Sequence, residues 1–520
     1  MDIVRTETLP LDETDCFSSF FIDYINEKEV LKPYYSAFPT VKNFKSAIEK
    51  RSFPSANRKV MVKVLQEQYK DLSVSSAVSQ NIQSLVDDKT FTITTGHQLN
   101  IFTGPLYFIY KIVTVINACK TLKQVYPDNN FVPVYWMASE DHDFEEINHF
   151  FFEGKKLEWI TDQTGAVGHF DPSGLKAIAE KLPGGADFFA EAYSKESLAD
   201  AARSYVNHLF GKEGIVVVDA DDPQLKSLFS TVIEDDLFAH HTQKLVSEIS
   251  SSLESLGYKT QVHAREINFF YLEKGVRERI ERTDHGFQVV DTDISFSEAD
   301  IRKLIKDHPE RFSPNVILRP LYQETILPNL AYVGGPSEAV YWLQLKTVFD
   351  HFKTPFPLLM PRNFALVIPK TSANKWGKTG LSPSDLFLET EDAFKKWVKT
   401  NSNRELSYTK ELEELAKLEK QLKEKASIID PTLVQHIEAL HATFSKRIKA
   451  AEKKLVRAEK RLHQDKRSQI ESVKEVLFPG GSLQERKDNF LNFYLSDPQF
   501  VQKLLKTFDP FDYRMNLLYL

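Results

Sequence analysis

Nine apolar residues between Leu433 and Leu462 recur at steps of three or four, and no other feature restricts the fold of this chain as strongly. Leu433, Ile437, Leu440, Phe444, Ile448, Ala451, Leu455, Ala458 and Leu462 form one stripe along a helix, with a stutter where two steps of four succeed each other. Leu412, Leu415, Leu418 and Leu422 line a shorter partner helix. Between the two lies Ile429-Asp-Pro431, with Asp430 as a cap and Pro431 at the first helical position. The pattern predicts an antiparallel coiled-coil arm over residues 389–476, where Gly and aromatic residues are scarce and Lys, Glu, Leu and Ala dominate. Two helices bury little alone, so the stripe is expected to pack on a partner subunit as well, with a homodimer as the default.

The remainder must supply a separate core. A chain of 520 residues exceeds the roughly 250–300 that one core accommodates, and 42% hydrophobic with 12% aromatic residues is ample material for it. Residues up to about 85 show helical spacing, as in Val60, Val64, Leu65 and Tyr69, and form a helical lead-in. Phe91-Thr-Ile-Thr-Thr95 then reads as a strand, a helix candidate opens near Thr103-Gly-Pro105, and Phe131-Val-Pro-Val-Tyr-Trp-Met137 reads as the next strand. Such a unit closes as a right-handed crossover. Gly214-Ile-Val-Val-Val-Asp219 is dense enough to be a strand buried on both faces. A helix from 238 to 256 and strands over 261–272 and 316–320 complete an α/β reading with a parallel sheet. The expected division is an α/β core over 1–388, the arm over 389–476, and a segment over 477–520 that packs back on the core.

Charge and cysteine content narrow the function. A net charge of −7 gives no global attraction to nucleic acid, and the Lys and Arg of the arm alternate with Glu instead of forming a basic stripe. Two cysteines, Cys16 and Cys119, make neither a disulfide framework nor a zinc spacing, as befits a reducing cytoplasm. The first residues lack a basic segment followed by an apolar run, so no secretory signal is read there. The apolar stretch 101–119 approaches the length of a membrane span, but it contains Gly104, Pro105 and Lys111. A charge facing lipid costs roughly 3 kcal/mol, so a buried helix is expected and no membrane partner.

Three constellations carry possible chemistry. Thr94-Thr-Gly-His-Gln98, with Thr103-Gly-Pro105 opening a helix, stands at the carboxyl end of a strand, where α/β sheets bind ligands. Gly96 and Gly104 would let backbone approach an anion, and His97 could donate a hydrogen bond to it. Ser139-Glu-Asp-His-Asp-Phe-Glu-Glu-Ile-Asn-His149 crowds carboxylates and histidines at the end of the next strand. Glu140, Asp141, His142 and Asp143 could bind a divalent metal, with His149 as a further ligand in a hydrolase, or recognise an amine and act as general acid or base. No metal is assigned. Arg319-Pro-Leu-Tyr-Gln-Glu324 and Ala331-Tyr-Val-Gly-Gly-Pro-Ser-Glu338 form the third, with Gly334 and Gly335 as a turn before a helix and Glu338 in its first turn. Arg319 and Arg362 offer fixed cations to a carboxylate or phosphate.

Taken together, TGHQ, TGPLYFIYK, SEDHDF, RPLYQ, AYVGGPSE, YWLQLK, MPRN and GSLQER, in this order from about Thr94 to Arg486, strongly resemble the cysteine ligase family of bacillithiol biosynthesis. The resemblance implies a Rossmann-like core related to class I aminoacyl-tRNA synthetases and other nucleotidyltransferases, with connecting insertions and a coiled coil that supports dimers. It implies a carbon–nitrogen ligase joining cysteine, through its carboxyl group, to the amine of glucosaminyl malate, with ATP or another nucleotide activating the carboxylate. From the residue patterns and the resemblance together, His97, Asp141, His142 and Asp143 are the catalytic candidates. Thr95, Gln98, Glu140, Arg319, Tyr341 and Arg362 are substrate-binding candidates, and Gly96, Gly104, Gly334 and Gly335 would contact nucleotide or anion. The second, lysine-rich signature of the synthetases has only a faint counterpart in Lys370-Thr-Ser-Ala-Asn-Lys375.

Overall fold

A computed structural model describes residues 3–402 and 404–520. The chain forms two compact units. The first gathers residues 16–366 and 482–518 with the N-terminal segment up to Asp12, and the second is essentially 367–481.

The first unit is organised by a five-stranded parallel sheet. Its strands β1 (Thr90–His97), β2 (Asn130–Met137) and β3 (Val216–Asp219) follow one another on one side of the chain's starting point. An antiparallel sheet is inserted next, made of β4 (Phe269–Glu273), β5 (Val276–Thr283), β6 (Gly286–Val289), β7 (Ser295–Phe296) and β8 (Phe312–Pro314) in the order β7-β6-β5-β4-β8. The chain then returns to the parallel sheet as β9 (Asn329–Gly334) and β10 (Leu358–Pro361), giving the order β10-β9-β1-β2-β3. The order in which the chain adds strands therefore reverses between β9 and β1, and crevices at such switch points are where α/β sheets hold ligands.

The helix α1 (Tyr107–Val125) links β1 to β2, which pair in parallel from Thr90 opposite Asn130 to His97 opposite Met137. The apolar run considered for a membrane span is this helix. It is buried on every side from Phe108 to Cys119 and packs into a core with Ile93, Phe131 and Val333. Among the described residues no helix is long and apolar enough to cross a membrane. The segment after 481 contributes to the same unit. Asn489 donates to the carbonyls of Phe102 and Gly104, and Asn117 donates to those of Leu505 and Phe508.

Four local expectations change. The lead-in starts with a strand, Arg5–Leu9, before its helices. The helix expected over 238–256 is α3 (His241–Ser255), which starts three residues late because a separate helix α2 (Ser230–Phe238) ends at Phe238 and His240, whose φ of 55° is left-handed, parts the two. Of 261–272 only β4 is strand. Residues 316–318 are not strand either, because the Asn315 carboxamide accepts from the Ile317 and Leu318 amides and turns the chain into α4 (Arg319–Ile326), with Pro320 in its first turn.

In the second unit, α5 (Thr409–Ile429) and α6 (Leu433–Leu462) form the coiled coil. Lys423 pairs with Glu438 at 2.7 Å and Glu419 with His441 at 3.1 Å; the earlier residue of one helix meets the later of the other, which defines the antiparallel register. Asp430 accepts from the Thr432 amide and hydroxyl in the turn between the helices, but the N-cap of α6 is Thr432 and helix proper begins at Leu433, so neither Asp430 nor Pro431 holds the helix-start position expected of it. Leu418, Leu422, Leu433, Leu440 and Phe444 all remain more than two-fifths exposed.

Candidate active site

A cleft of about 900 Å³ opens at the carboxyl ends of β1, β2 and β9, against the inserted antiparallel sheet. This is within the usual range for a small-molecule site. Its two walls differ in kind.

The first wall is buried. Lys111 of α1, 4% exposed, lies 2.6 Å from Glu338 and donates to the Gly96 carbonyl at 2.9 Å. Glu338 also accepts from the Tyr332 hydroxyl at 2.6 Å and the Gly335 amide at 2.8 Å. Burial opposes its charge, but the Lys111 ammonium and these donors outweigh that and hold its carboxyl at about 2. Arg319 donates to the Tyr341 hydroxyl at 3.2 Å and lies over the rings of Tyr332 and Trp342. A Cβ on Gly96 would stand 3.1 Å from the Tyr332 hydroxyl and 3.5 Å from the Arg319 guanidinium, so glycine is what lets the cationic groups close over the strand end. His97 sits between the rings of Tyr107 and Phe108. Its Nε2 is shielded from water without a hydrogen-bond partner, and burial, with the Lys111 charge, lowers its pKa to about 3. It is a neutral imidazole. Arg362 gives one nitrogen to Glu485 at 2.6 Å and another to the Asn363 carbonyl, while its Nε is buried without a partner.

The second wall is the acidic loop after β2, where Glu140 and Asp141 are met from a distance in sequence. Glu140 takes the fully buried Lys226 at 2.7 Å and the Ser313 hydroxyl at 2.6 Å. Asp141 accepts from Gln98 at 2.9 Å, and Arg277 of β5 lies 3.9 Å away. The Arg277 guanidinium also donates to His142 Nδ1 and, at 3.2 Å, to the Ser313 hydroxyl. Behind the loop, Ser139 donates to Asp219 at 2.5 Å, and burial pushes the Asp219 carboxyl up to about 6.

The structure thus brings Gly96, His97, Gln98, Glu140, Asp141, His142, Asp143, Arg319, Gly335, Tyr341 and Arg362 to one cleft. Three candidates do not line it. Thr95 is buried in the sheet with its hydroxyl donating to the Val333 carbonyl; Gly334 accepts from the Arg362 amide. Gly104 serves the turn before α1: its φ is 62°, and a Cβ there would stand 2.5 Å from that of Asn100. Asp141, His142 and Asp143 present ligand atoms within 4.8 Å of one another, close enough to hold a metal. His149 is not among them, lying on the strand His149–Phe152 with its Nδ1 bonded to Asn148, and Arg277 already places a cation at His142. Lys375 bonds to Ser472 within the second unit.

Sequence reasoning passed over Lys111, Lys226 and Arg277. For Lys111 the signal was present: a lone ammonium inside a helix too apolar to be exposed requires a partner. Lys226, Arg277 and Ser313 come from the insertion between β3 and β9, and no spacing rule joins them to Glu140.

Comparison with known proteins gives two family matches covering nearly the whole chain. Residues 4–363 match the N-terminal Rossmann-like domain of bacillithiol biosynthesis BshC, and residues 365–520 match its C-terminal coiled-coil domain. Proteins named "Putative cysteine ligase BshC" align along their lengths. The one from Cytophaga hutchinsonii is 42% identical over 99% of both chains, and that from Flavobacterium psychrophilum 43% over 94% of both. The Chlorobaculum tepidum protein is 30% identical over 89% of this chain and 88% of its own.

Proposed function

Because this chain belongs to the bacillithiol biosynthesis BshC family, we propose that it is a cytoplasmic cysteine ligase, forming the amide between the cysteine carboxyl group and the amine of glucosaminyl malate in the last step of bacillithiol assembly. The observation that carries this reading is the pairing of a cationic and an anionic wall across one cleft at the sheet's switch point. A condensation of this kind must hold carboxylates and an ammonium group together while excluding water.

The basic wall suits the anions. Arg319 offers a planar guanidinium beside Tyr341, and Arg362 keeps its buried Nε without a partner. Gly96 and Gly335 permit close approach of backbone. These residues fit a nucleotide phosphate or a substrate carboxylate, and a bound ATP or other nucleotide would supply activation of the carboxyl group. The acidic wall suits the amine. Asp141 and Asp143 can take up an ammonium group, and Asp141, held by Gln98, is placed to receive the proton that the attacking amine must lose. His97, uncharged, contributes a hydrogen-bonding nitrogen and no countercharge. We also propose that the exposed apolar stripe of the coiled coil is covered by a second copy of the chain; Phe444→Glu should then shift the mass measured by light scattering from dimer to monomer.

Incubating the full chain with glucosaminyl malate, cysteine and ATP should yield bacillithiol and a released phosphate species. Folded protein that gives no product with any nucleotide would refute the reading. His97→Ala should weaken nucleotide binding in calorimetry while leaving the chain folded, and unchanged affinity would remove His97 from that role.

A further inference from the structure

Away from the cleft, Asp235 at the end of α2, His241 at the start of α3 and His351 at the end of a helix α7 (Lys346–His351) converge. We propose that they form a two-histidine, one-carboxylate site for a borderline divalent cation such as zinc, clipping together segments 116 positions apart.

The three ligand atoms lie within 4.8 Å of one another. Asp235 Oδ2 is 2.9 Å from His241 Nδ1 and 3.4 Å from His351 Nε2. A tetrahedral metal with ligand bonds of about 2.0–2.1 Å holds its donors about 3.3 Å apart, which these separations bracket. The two imidazoles face each other at 4.7 Å between centroids and 40° between planes, an arrangement that two imidazolium ions would resist and one shared cation would favour. Both histidines meet Oδ2, so a cation among the three atoms would take that oxygen from two competing imidazoles and bind all three donors at once.

The backbone builds the convergence. The Asp235 carbonyl accepts from the Ala239 and His240 amides, and left-handed His240 reverses the chain so that His241 faces back to Asp235. Two nitrogen donors and one oxygen select zinc, cobalt, nickel or copper over magnesium or calcium. With His241 about half exposed, a fourth position stays open to water. The same pair of histidines ties α3 to α7, whose preceding helix, Pro336–Trp342, carries Glu338 and Tyr341 of the cleft. A cation bound to the folded chain alone stabilises it by mass action.

Tag-free, full-length protein stripped with chelator and titrated with zinc chloride in calorimetry should take up a single equivalent at this site, with a raised unfolding temperature. His241→Ala/His351→Ala should lose both the equivalent and the thermal gain, whereas Asp141→Asn, in the cleft, should keep them. Because the double variant could perturb the helix ends, His351→Gln provides a milder reading, with affinity falling by about tenfold or more. Absence of saturable zinc binding, or binding that survives the double variant and disappears in Asp141→Asn, would overturn the assignment.

Discussion

The two walls of the cleft use similar numbers of charges in opposite ways. On the β9 side, Lys111 and Glu338 are bonded to each other and to backbone, largely out of water, and their ionisation is tied to the folded state. On the β2 side, Asp141, His142 and Asp143 stay partly exposed, Asp141 is held by Gln98, and the cation near Asp141 and His142 is Arg277 of the inserted sheet. A paired charge in a dry wall is costly to disturb, whereas a carboxylate at a wet rim can exchange one partner for another at small cost. The first wall should therefore answer to tests of stability and the second to tests of turnover.

Lys111→Met separates the two most sharply. It leaves Glu338 with two neutral donors and no directly bonded cation, only the more distant Arg319 charge, and should cost about 3 kcal/mol in chemical denaturation. Lys111→Met/Glu338→Gln should recover part of that loss; a double variant as unstable as the single one would assign the cost to packing instead. His97 tests the same wall through pH. Its folded pKa of about 3 lies below the usual 6.5, so the unfolded chain binds the proton more readily between those values. Its contribution to stability is complete above the unfolded value and shrinks as pH falls. His97→Phe should remove about 2 kcal/mol of the stability lost between pH about 7.5 and about 5. Identical pH slopes in both proteins would show that the imidazole is not held neutral by its surroundings.

How far each wall could be read from sequence follows from how it is built. The β1–α1–β2 unit is local: β-branched strands, an apolar helix between them and polar strand ends specify both the crossover and the place of His97 and Asp141. The coiled coil was legible because its register repeats. Strand 312–314 and the turn at Asn315 were not, since an Asn side chain bonding to two following amides overrides the apolar character of Val316, Ile317 and Leu318. Gly104 shows the same limit at the site: a glycine before a helix marks positive φ equally well for a turn and for an anion, and only the packing of Asn100 decides between them. The pairing of Glu140 with Lys226 and Ser313 depends on tertiary return of the insertion, which carries no local pattern.

Asp141→Asn is the smallest disturbance to the fold and the strictest test of the contrast. Its carboxylate is met by Gln98 at 2.9 Å and by Arg277 only at 3.9 Å, and it borders solvent, so the amide should cost under about 1 kcal/mol in denaturation. An amide cannot take a proton from an amine at neutral pH, so product formation should fall about 10²–10⁴-fold if Asp141 is the base. Substrate affinity should change less than turnover, since the exposed Asp143 remains to attract the ammonium group. If stability falls as far as it does in Lys111→Met while turnover per folded molecule is unchanged, the acidic loop is a structural brace like the opposite wall, and the division between the two disappears.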